Sequence, residues 1–280
     1  MKRLLLVDGS NLLFQMFFGM PARIINAEGK AIHGTLGFVG ALLKMIRMTN
    51  PTHAAVLFDG EHKNERSAIH ADYKASRTDY SQMPESETPF SQLPDIKAAL
   101  DYLKIRHAET TDCETDDWMA AYARLADTGF ELIIASFDSD FFQLISKRVS
   151  ILRYRGDKTV ICTPEWLQNK FDIFPSQYAD FKALTGDVSD NIKGADRVGP
   201  KTAAALLHQF GSLEQLLAHT EKITKPGIQQ SIRQNHERLR QNQKLIHLTG
   251  NVPLPFTLSE LQYFLPDMTT TQVLKAIQLR

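Results

Sequence analysis

Residues 3–11 read RLLLVDGSN. The run 3–7 is too short for a helix and is predicted to be a buried strand, halted at Asp8-Gly9. The same figure recurs along the chain. Residues 54–58 form a second apolar run that stops at Asp59-Gly60, and a strand over 131–135 leads through Ser136-Phe137 into Asp138 and Asp140. Helical spacing is read over 34–48, closed by Asn50-Pro51, and again in a helix ending near Leu103. A short strand is expected around Ile105-Arg106, and a strand pair over 149–154 and 160–161. Strands alternating with helices predict an α/β fold with a central, mainly parallel sheet flanked by helices. Ligands of such sheets sit at the carboxyl ends of the strands, where Asp8, Asp59 and Asp138 fall. From Tyr178 onward the pattern is helical with short Gly-containing turns, which places a domain boundary there: 1–178 and 179–280.

Nine carboxylates fall in short clusters. Besides Asp8 and Asp59 there are Glu114, Asp116 and Asp117 at the start of a helix pattern, then Asp138 with Asp140, then Asp187 with Asp190 in LTGDVSDN. Singly, each reads equally well as a helix cap, a dipole-complementing acid or an Asx turn. Glu114 and Asp117 share a helix face, and in an extended segment Asp138 and Asp140 would point the same way. So many acids repel one another unless something positive sits between them. Hard divalent cations take oxygen ligands, and Mg²⁺ in particular is bound by carboxylates together with substrate phosphate. The pattern therefore predicts a metal site acting on phosphate.

Lys and Arg number 32, as do Asp and Glu, so net charge alone points to no partner. Its distribution does. Residues 191–250 hold nine basic and four acidic side chains, about +5, balanced by about −5 elsewhere. Cys113 and Cys162 show no CxxC or Cys/His spacing, so neither a zinc site nor a disulfide framework is indicated. The opening MKRLLLV is cut by Asp8 too early for a signal peptide. No run approaches the ~18 apolar residues of a membrane span, so a cytoplasmic protein without membrane association is expected.

Residues 61–94 are polar and poor in apolar periodicity, an unusual length for a compact domain unless it is functional. Here Tyr73-Lys74 and Arg77, with Arg66 upstream, could hold a phosphate. Gly194 to Ala203 (GADRVGPKTA) is a Gly-containing turn feeding a helix that starts at about Pro200. Free N–H groups there, with Lys201 and Thr202, suit an anion. Such a turn contacts phosphates without reading bases.

The segments LLLVDGSNLLF, VLFDG, YKASR, ETDDWMAA, SFDSDFFQLI and LTGDVSDNIKGADRVGPKTAAALL occur in one order. Over residues 3 to about 220 this order resembles the 5′-nuclease, or flap endonuclease, family, which includes the nuclease domain of bacterial DNA polymerase I and stand-alone enzymes. No polymerase domain follows, so the chain is similar to a stand-alone member. The resemblance implies a PIN-like nuclease core, a helical arch formed by 61–94 through which a 5′ single strand passes, and a C-terminal helix–hairpin–helix subdomain. It implies one metal ion held by Asp8, Asp59, Glu114, Asp116 and Asp117, and a second held or oriented by Asp138, Asp140, Asp187 and Asp190. Mg²⁺ is the expected ion, with Mn²⁺ able to substitute.

Lys74 matches the lysine that approaches the scissile phosphate, and Arg66 and Arg77 match basic arch residues. Gly194 to Ala203, including Arg197 and Gly199, matches the element whose backbone carbonyls bind K⁺ next to duplex phosphate. Arg197 stands where the family has a glycine. The implied activity is structure-specific 5′ cleavage of branched, 5′-flap or nicked DNA by a monomer in replication and repair. A module of the same fold that binds branched DNA without cutting it is the alternative, and a phosphatase of small esters is disfavoured by the basic 191–250 segment.

Overall fold

A computed structural model describes residues 2–60, 80, 83–126, 129–264 and 268–279. Its main sheet has strands β1 (Lys2–Asp8), β2 (His53–Phe58), β3 (Arg106–Glu109), β4 (Phe130–Ala135), β5 (Val149–Arg153) and β6 (Val160–Cys162). Their order is β3-β2-β1-β4-β5-β6. All neighbours run parallel except β5 and β6. β1 carries Leu4 and Leu6 into one hydrophobic cluster and Leu5 and Val7 into the other. That is why it reads as an unbroken apolar run rather than an alternating one: a parallel sheet is buried on both faces. The strand expected at Ile105-Arg106 starts at Arg106 and runs on to Glu109.

Helices α1 (Gly9–Gly19), α2 (His33–Thr49) and α3 (Leu93–Tyr102) cover one face, and α4 (Thr115–Ala126) covers the other. Asn50 closes α2 in the left-handed conformation (φ 44°), its N–H bonded to the Ile46 carbonyl, and Pro51 forbids continuation. α5 (Pro164–Phe171) and α6 (Tyr178–Thr185) follow the sheet. The next segment departs from the all-helical expectation: β7 (Gly186–Asp187) and β8 (Ile192–Lys193) form a small antiparallel hairpin. It exists because two glycines let backbones touch. A Cβ on Gly186 (φ 81°) would lie 2.6 Å from the Gly194 nitrogen, and one on Gly194 would lie 2.4 Å from the Leu184 carbonyl oxygen.

Helices α7 (Pro200–Phe210), α8 (Leu213–Ala218), α9 (Pro226–Gln234) and α10 (His236–Ile246) pack behind that hairpin. Polar side chains, Asn242 buried and Arg238 half-buried, tie them to it. Asn242 donates to the Ala183 and Lys193 carbonyls at 3.1 and 3.0 Å, and Arg238 donates to the Gly194 carbonyl at 2.8 Å. The chain then returns to the sheet: Trp118 and Tyr122 of α4 donate to the Pro253 and Phe256 carbonyls, and α11 (Thr270–Ala276) packs on α2. Among the described residues no helix is long and apolar enough to cross a membrane.

Candidate active site

From β1 the chain steps outward through β2 to β3, then crosses back to β4 and continues to β5. The carboxyl ends of β1 and β4 therefore flank a topological switch point, where open α/β sheets bind ligands. Asp8 ends β1. Its Oδ1 accepts from the Asn11 N–H at 2.9 Å, capping α1, and its Oδ2 accepts from Ser136, just past β4, at 2.8 Å. Asp59 follows β2, and its Oδ1 accepts from the Thr115 N–H at 3.0 Å, at the first residue of α4. Asp117 accepts from the Glu114 N–H at 3.2 Å. Caps and candidate ligands are thus the same residues, and each carboxylate has lone pairs left over. Burial pushes the Asp8 carboxyl up to about 7, with the Asp59 and Asp138 charges adding to it, although Asn11 and Ser136 donate to it.

The second group gathers beside the first. Oxygens of Asp140, Asp187 and Asp190 lie within 4.8 Å of one another. The segment carrying Asp138 and Asp140 is not extended. Asp140 begins a 3₁₀ turn, Asp140–Leu144, and its N–H donates to Asp138 Oδ1 at 2.8 Å. An Asx-type bond to residue i+2 wins over the extended form because it satisfies an N–H at the turn's start. Asp187 does the same toward the Ser189 N–H at 2.9 Å. The Asp138 charge raises the pKa of both Asp8 and Asp140, so it acts on a member of each group.

Lys182 of α6 is the residue that motif reading missed. It is only 6% exposed, and its ammonium forms salt bridges to Asp140 and Asp187. Burial works against the charged lysine, but Asp140 and Asp187 outweigh it and raise its pKa. Burial also raises the Asp140 carboxyl, to about 6, against the pull of Lys182. For Asp187, burial is outweighed by hydrogen bonds from Lys182 and Ser189, and its pKa falls. A usable signal lay in YADFKALT, where the apolar residues Tyr178, Ala179, Phe181, Ala183 and Leu184 flank Lys182 on either side, so that the lysine of a helix buried on most of its surface must find a partner.

The N-terminal resolvase-like domain of 5′-3′ exonucleases matches residues 3–172, and the C-terminal SAM fold of 5′-3′ exonucleases matches residues 173–269. The chain belongs to the 5′-3′ exonuclease family. Among relatives of this family member, the thermostable DNA polymerase I of Thermus thermophilus is 34% identical over 259 residues, covering 92% of this chain and 30% of that protein. The 5′-3′ exonuclease of Aquifex aeolicus is 32% identical over 270 residues, 96% of this chain and 89% of that one. The chain thus spans under a third of the polymerase relatives but nearly all of a stand-alone exonuclease. The fold is similar to that of the bacteriophage T5 D15 flap endonuclease, solved with DNA and metal ions: TM-score 0.69, 21% identity, 88% of this chain and 89% of that one.

In this 5′-3′ exonuclease family member, Arg66, Tyr73, Lys74 and Arg77 lie outside the described residues. Arg197 takes φ 66°, the left-handed region that a glycine would enter without strain. Arg197, Gly199 and Lys201 are exposed, and Thr202 is half-buried. Gly194 is buried under Leu184, so its missing side chain serves the close approach of two backbones.

Cys113 offers a reporter of the first acid group. Burial pushes its thiol up to about 11, with Asp117, Asp112, Asp59 and Glu114 adding to the rise. A cation bound among those acids relieves their share, and reactivity follows the thiolate fraction. Mg²⁺ is therefore expected to accelerate alkylation of Cys113 at pH 8 several-fold and to leave the buried Cys162 unchanged. Mass-spectrometric labelling rates check this, and equal rates with and without Mg²⁺ would exclude cation binding near Cys113.

Proposed function

We propose that this chain is a structure-specific 5′ nuclease, acting as a flap endonuclease and a 5′→3′ exonuclease. It hydrolyses DNA phosphodiesters near single-strand/duplex junctions in 5′-flap, branched and nicked substrates, as a cytoplasmic monomer in replication and repair. The observation that carries the reading is the gathering of carboxylates at the ends of the strands that flank the switch point, with the basic helical region behind the hairpin that bears Asp187 and Asp190.

The donor set fits Mg²⁺ or Mn²⁺. It is all oxygen, and its buried Asp8 is destabilised by neighbouring acids in the way a cation relieves. Asp8, Asp59, Glu114, Asp116 and Asp117 would hold one ion, and Asp138, Asp140, Asp187 and Asp190 the other. Bound there, the pair would polarise the scissile phosphate and lower the pKa of a water. The rest of the work falls to side chains. Lys74 and Arg66 would neutralise charge on the phosphate in the transition state, and Tyr73 and Arg77 would line the path of the 5′ strand. Asp187 and Asp190, on a hairpin fixed by Asn242 and Arg238, would keep their positions as DNA docks.

Duplex phosphate is assigned to the start of α7. Its N-cap Gly199 brings no side-chain cap, and although Pro200 has no N–H and those of Thr202 and Ala203 donate to the Gly199 carbonyl, the Lys201 N–H stands at this end beside the Lys201 ammonium and the Thr202 hydroxyl. A K⁺ at this turn would draw on the Arg197 and Val198 carbonyls, because those of Gly194, Ala195 and Asp196 already accept from Arg238, Val198 and Ser231. Lys201→Ala is expected to weaken binding equally across DNA sequences and to lower the salt slope by ~0.9 for each phosphate it ceases to neutralise. Titrations at several salt concentrations read this, and an unchanged slope moves the duplex-binding surface elsewhere.

Cleavage mapping on 5′-flap, nicked, pseudo-Y and single-stranded DNA tests the whole reading. Products at the junction are expected with Mg²⁺ and none in EDTA. Turnover in excess EDTA sinks the metal assignment, and tight flap binding without any product in Mg²⁺ establishes the non-cutting module instead.

A further inference from the structure

Arg153, the last residue of β5, points its cation at no carboxylate: among the described residues it forms no salt bridge, and its Nε is buried without a partner. What it touches is the loop that carries Asp138 and Asp140. Nη2 donates to the Phe137 carbonyl at 3.0 Å, and the guanidinium carbon lies 5.0 Å from the Phe137 ring centroid and 5.5 Å from that of Phe142. Phe137 immediately precedes Asp138, and Phe142 follows Asp140 by two residues. The planar cation therefore lies against aromatic rings on both sides of the acidic pair, an interaction that strengthens where water is excluded.

The surroundings make this a clamp rather than a casual touch. The Phe137 N–H donates to Asn11 Oδ1 at 3.0 Å, so its peptide is gripped from α1 on one side and from β5 on the other. The Phe142 ring is wedged against Trp166 and Tyr178, with centroids 5.3 and 5.2 Å away. Arg153 thus links a fixed aromatic wall to a fixed peptide, and the 3₁₀ turn carrying Asp140 is held between them. A guanidinium with no acidic partner on an edge of the core would ordinarily turn toward water. Here it stays in, with an N–H unsatisfied, because the rings and the carbonyl hold it.

We propose that Arg153 is a positioning residue for the second carboxylate group, setting the separation of Asp138 and Asp140 and hence that group's affinity for a divalent ion. The proposal rests on the reading that these carboxylates hold such an ion. Supporting residues outside the ligand set commonly change metal affinity by 10–100-fold when replaced.

The test compares wild type, Arg153→Met and Arg153→Lys at a temperature where all three are folded. Mn²⁺ binding is followed by the electron paramagnetic resonance signal of the free ion, alongside the Mg²⁺ dependence of 5′-flap cleavage. Arg153→Met is expected to weaken Mn²⁺ binding and to raise the half-saturating Mg²⁺, each by about 10-fold. Flap affinity in metal-free buffer stays within about twofold, and excess Mg²⁺ recovers most of the rate. Arg153→Lys keeps a cation by the rings but loses the planar fork, and falls between the two. It carries the test if Arg153→Met does not fold. Mn²⁺ affinity unchanged in the variants, with only melting temperature lowered, would assign Arg153 to stability alone and overturn the proposal. A wild type that binds Mn²⁺ but cuts no DNA overturns the nuclease reading while the effect of Arg153 on Mn²⁺ affinity is still read.

Discussion

Asp8→Asn is expected to lower Mg²⁺-dependent cleavage of a 5′-flap by at least about 10³-fold and, in metal-free buffer at pH 8, to raise the melting temperature. The two effects have one origin. The Asp8 carboxyl is pushed up to about 7 in the fold, by burial first and by Asp59 and Asp138 after it, from an ordinary value near 3.8. Between about pH 4 and 7 the unfolded chain has released this proton and the folded chain has not. Stability therefore falls as pH rises through that window and is level above it. At about 1.4 kcal/mol per unit, ionising this one group costs the metal-free fold on the order of 4 kcal/mol. Asparagine keeps an oxygen for the Asn11 N–H and carries no charge, so the gap between variant and wild type should open from pH 4 to 7. Thermal melts across pH in EDTA, with single-turnover cleavage in Mg²⁺, check both halves. A variant less stable than wild type at pH 8 would contradict the account of Asp8 as a repelled, buried acid.

Lys182→Met reverses that balance. Removing the ammonium leaves the buried Asp140 and the half-buried Asp187 uncompensated, and breaking such a buried pair typically destabilises by about 3–5 kcal/mol. In EDTA the variant should melt roughly 10 °C below wild type. Divalent cations should then stabilise the variant more than they stabilise wild type, because they replace a charge that wild type already supplies. Melting temperature against Mg²⁺ concentration, for both proteins, is the measurement. A deficit in the variant that Mg²⁺ does not narrow would mean that Lys182 serves packing rather than charge.

The strands that end in Asp8 and Asp59 were legible because an apolar run halted by an acid is a local pattern, and α2 because a 3.6-residue period is closed by Asn50-Pro51. The hairpin of Gly186–Lys193 was not. Its strands are two residues each, and what permits them is the close approach of Gly186 and Gly194, eight positions apart. The relation of Asp138 to Asp140 was misread as extended because spacing alone does not show that Asp138 takes up the Asp140 N–H. The partners of Lys182 and Arg153 were not legible, for a third reason. Arg153 reaches Phe137, 16 positions away, and Lys182 reaches Asp140, 42 positions away, across an interface made only once the sheet and α6 are assembled.

The doubled duty of the acids constrains how this molecule could drift. Asp8 starts α1, and Asp59 meets the first N–H of α4, while both face the cluster. Replacement by alanine removes a helix start together with a charge, and the chain suffers in folding and in chemistry at once. Asparagine or serine preserves the start and silences only the charge. A lineage of this fold relieved of cutting would therefore pass through amides and hydroxyls at these positions, gaining stability on the way. Aspartate stands at both positions in this chain, and it keeps the charge that a cation site requires at the cost of the repulsion that raises the Asp8 carboxyl.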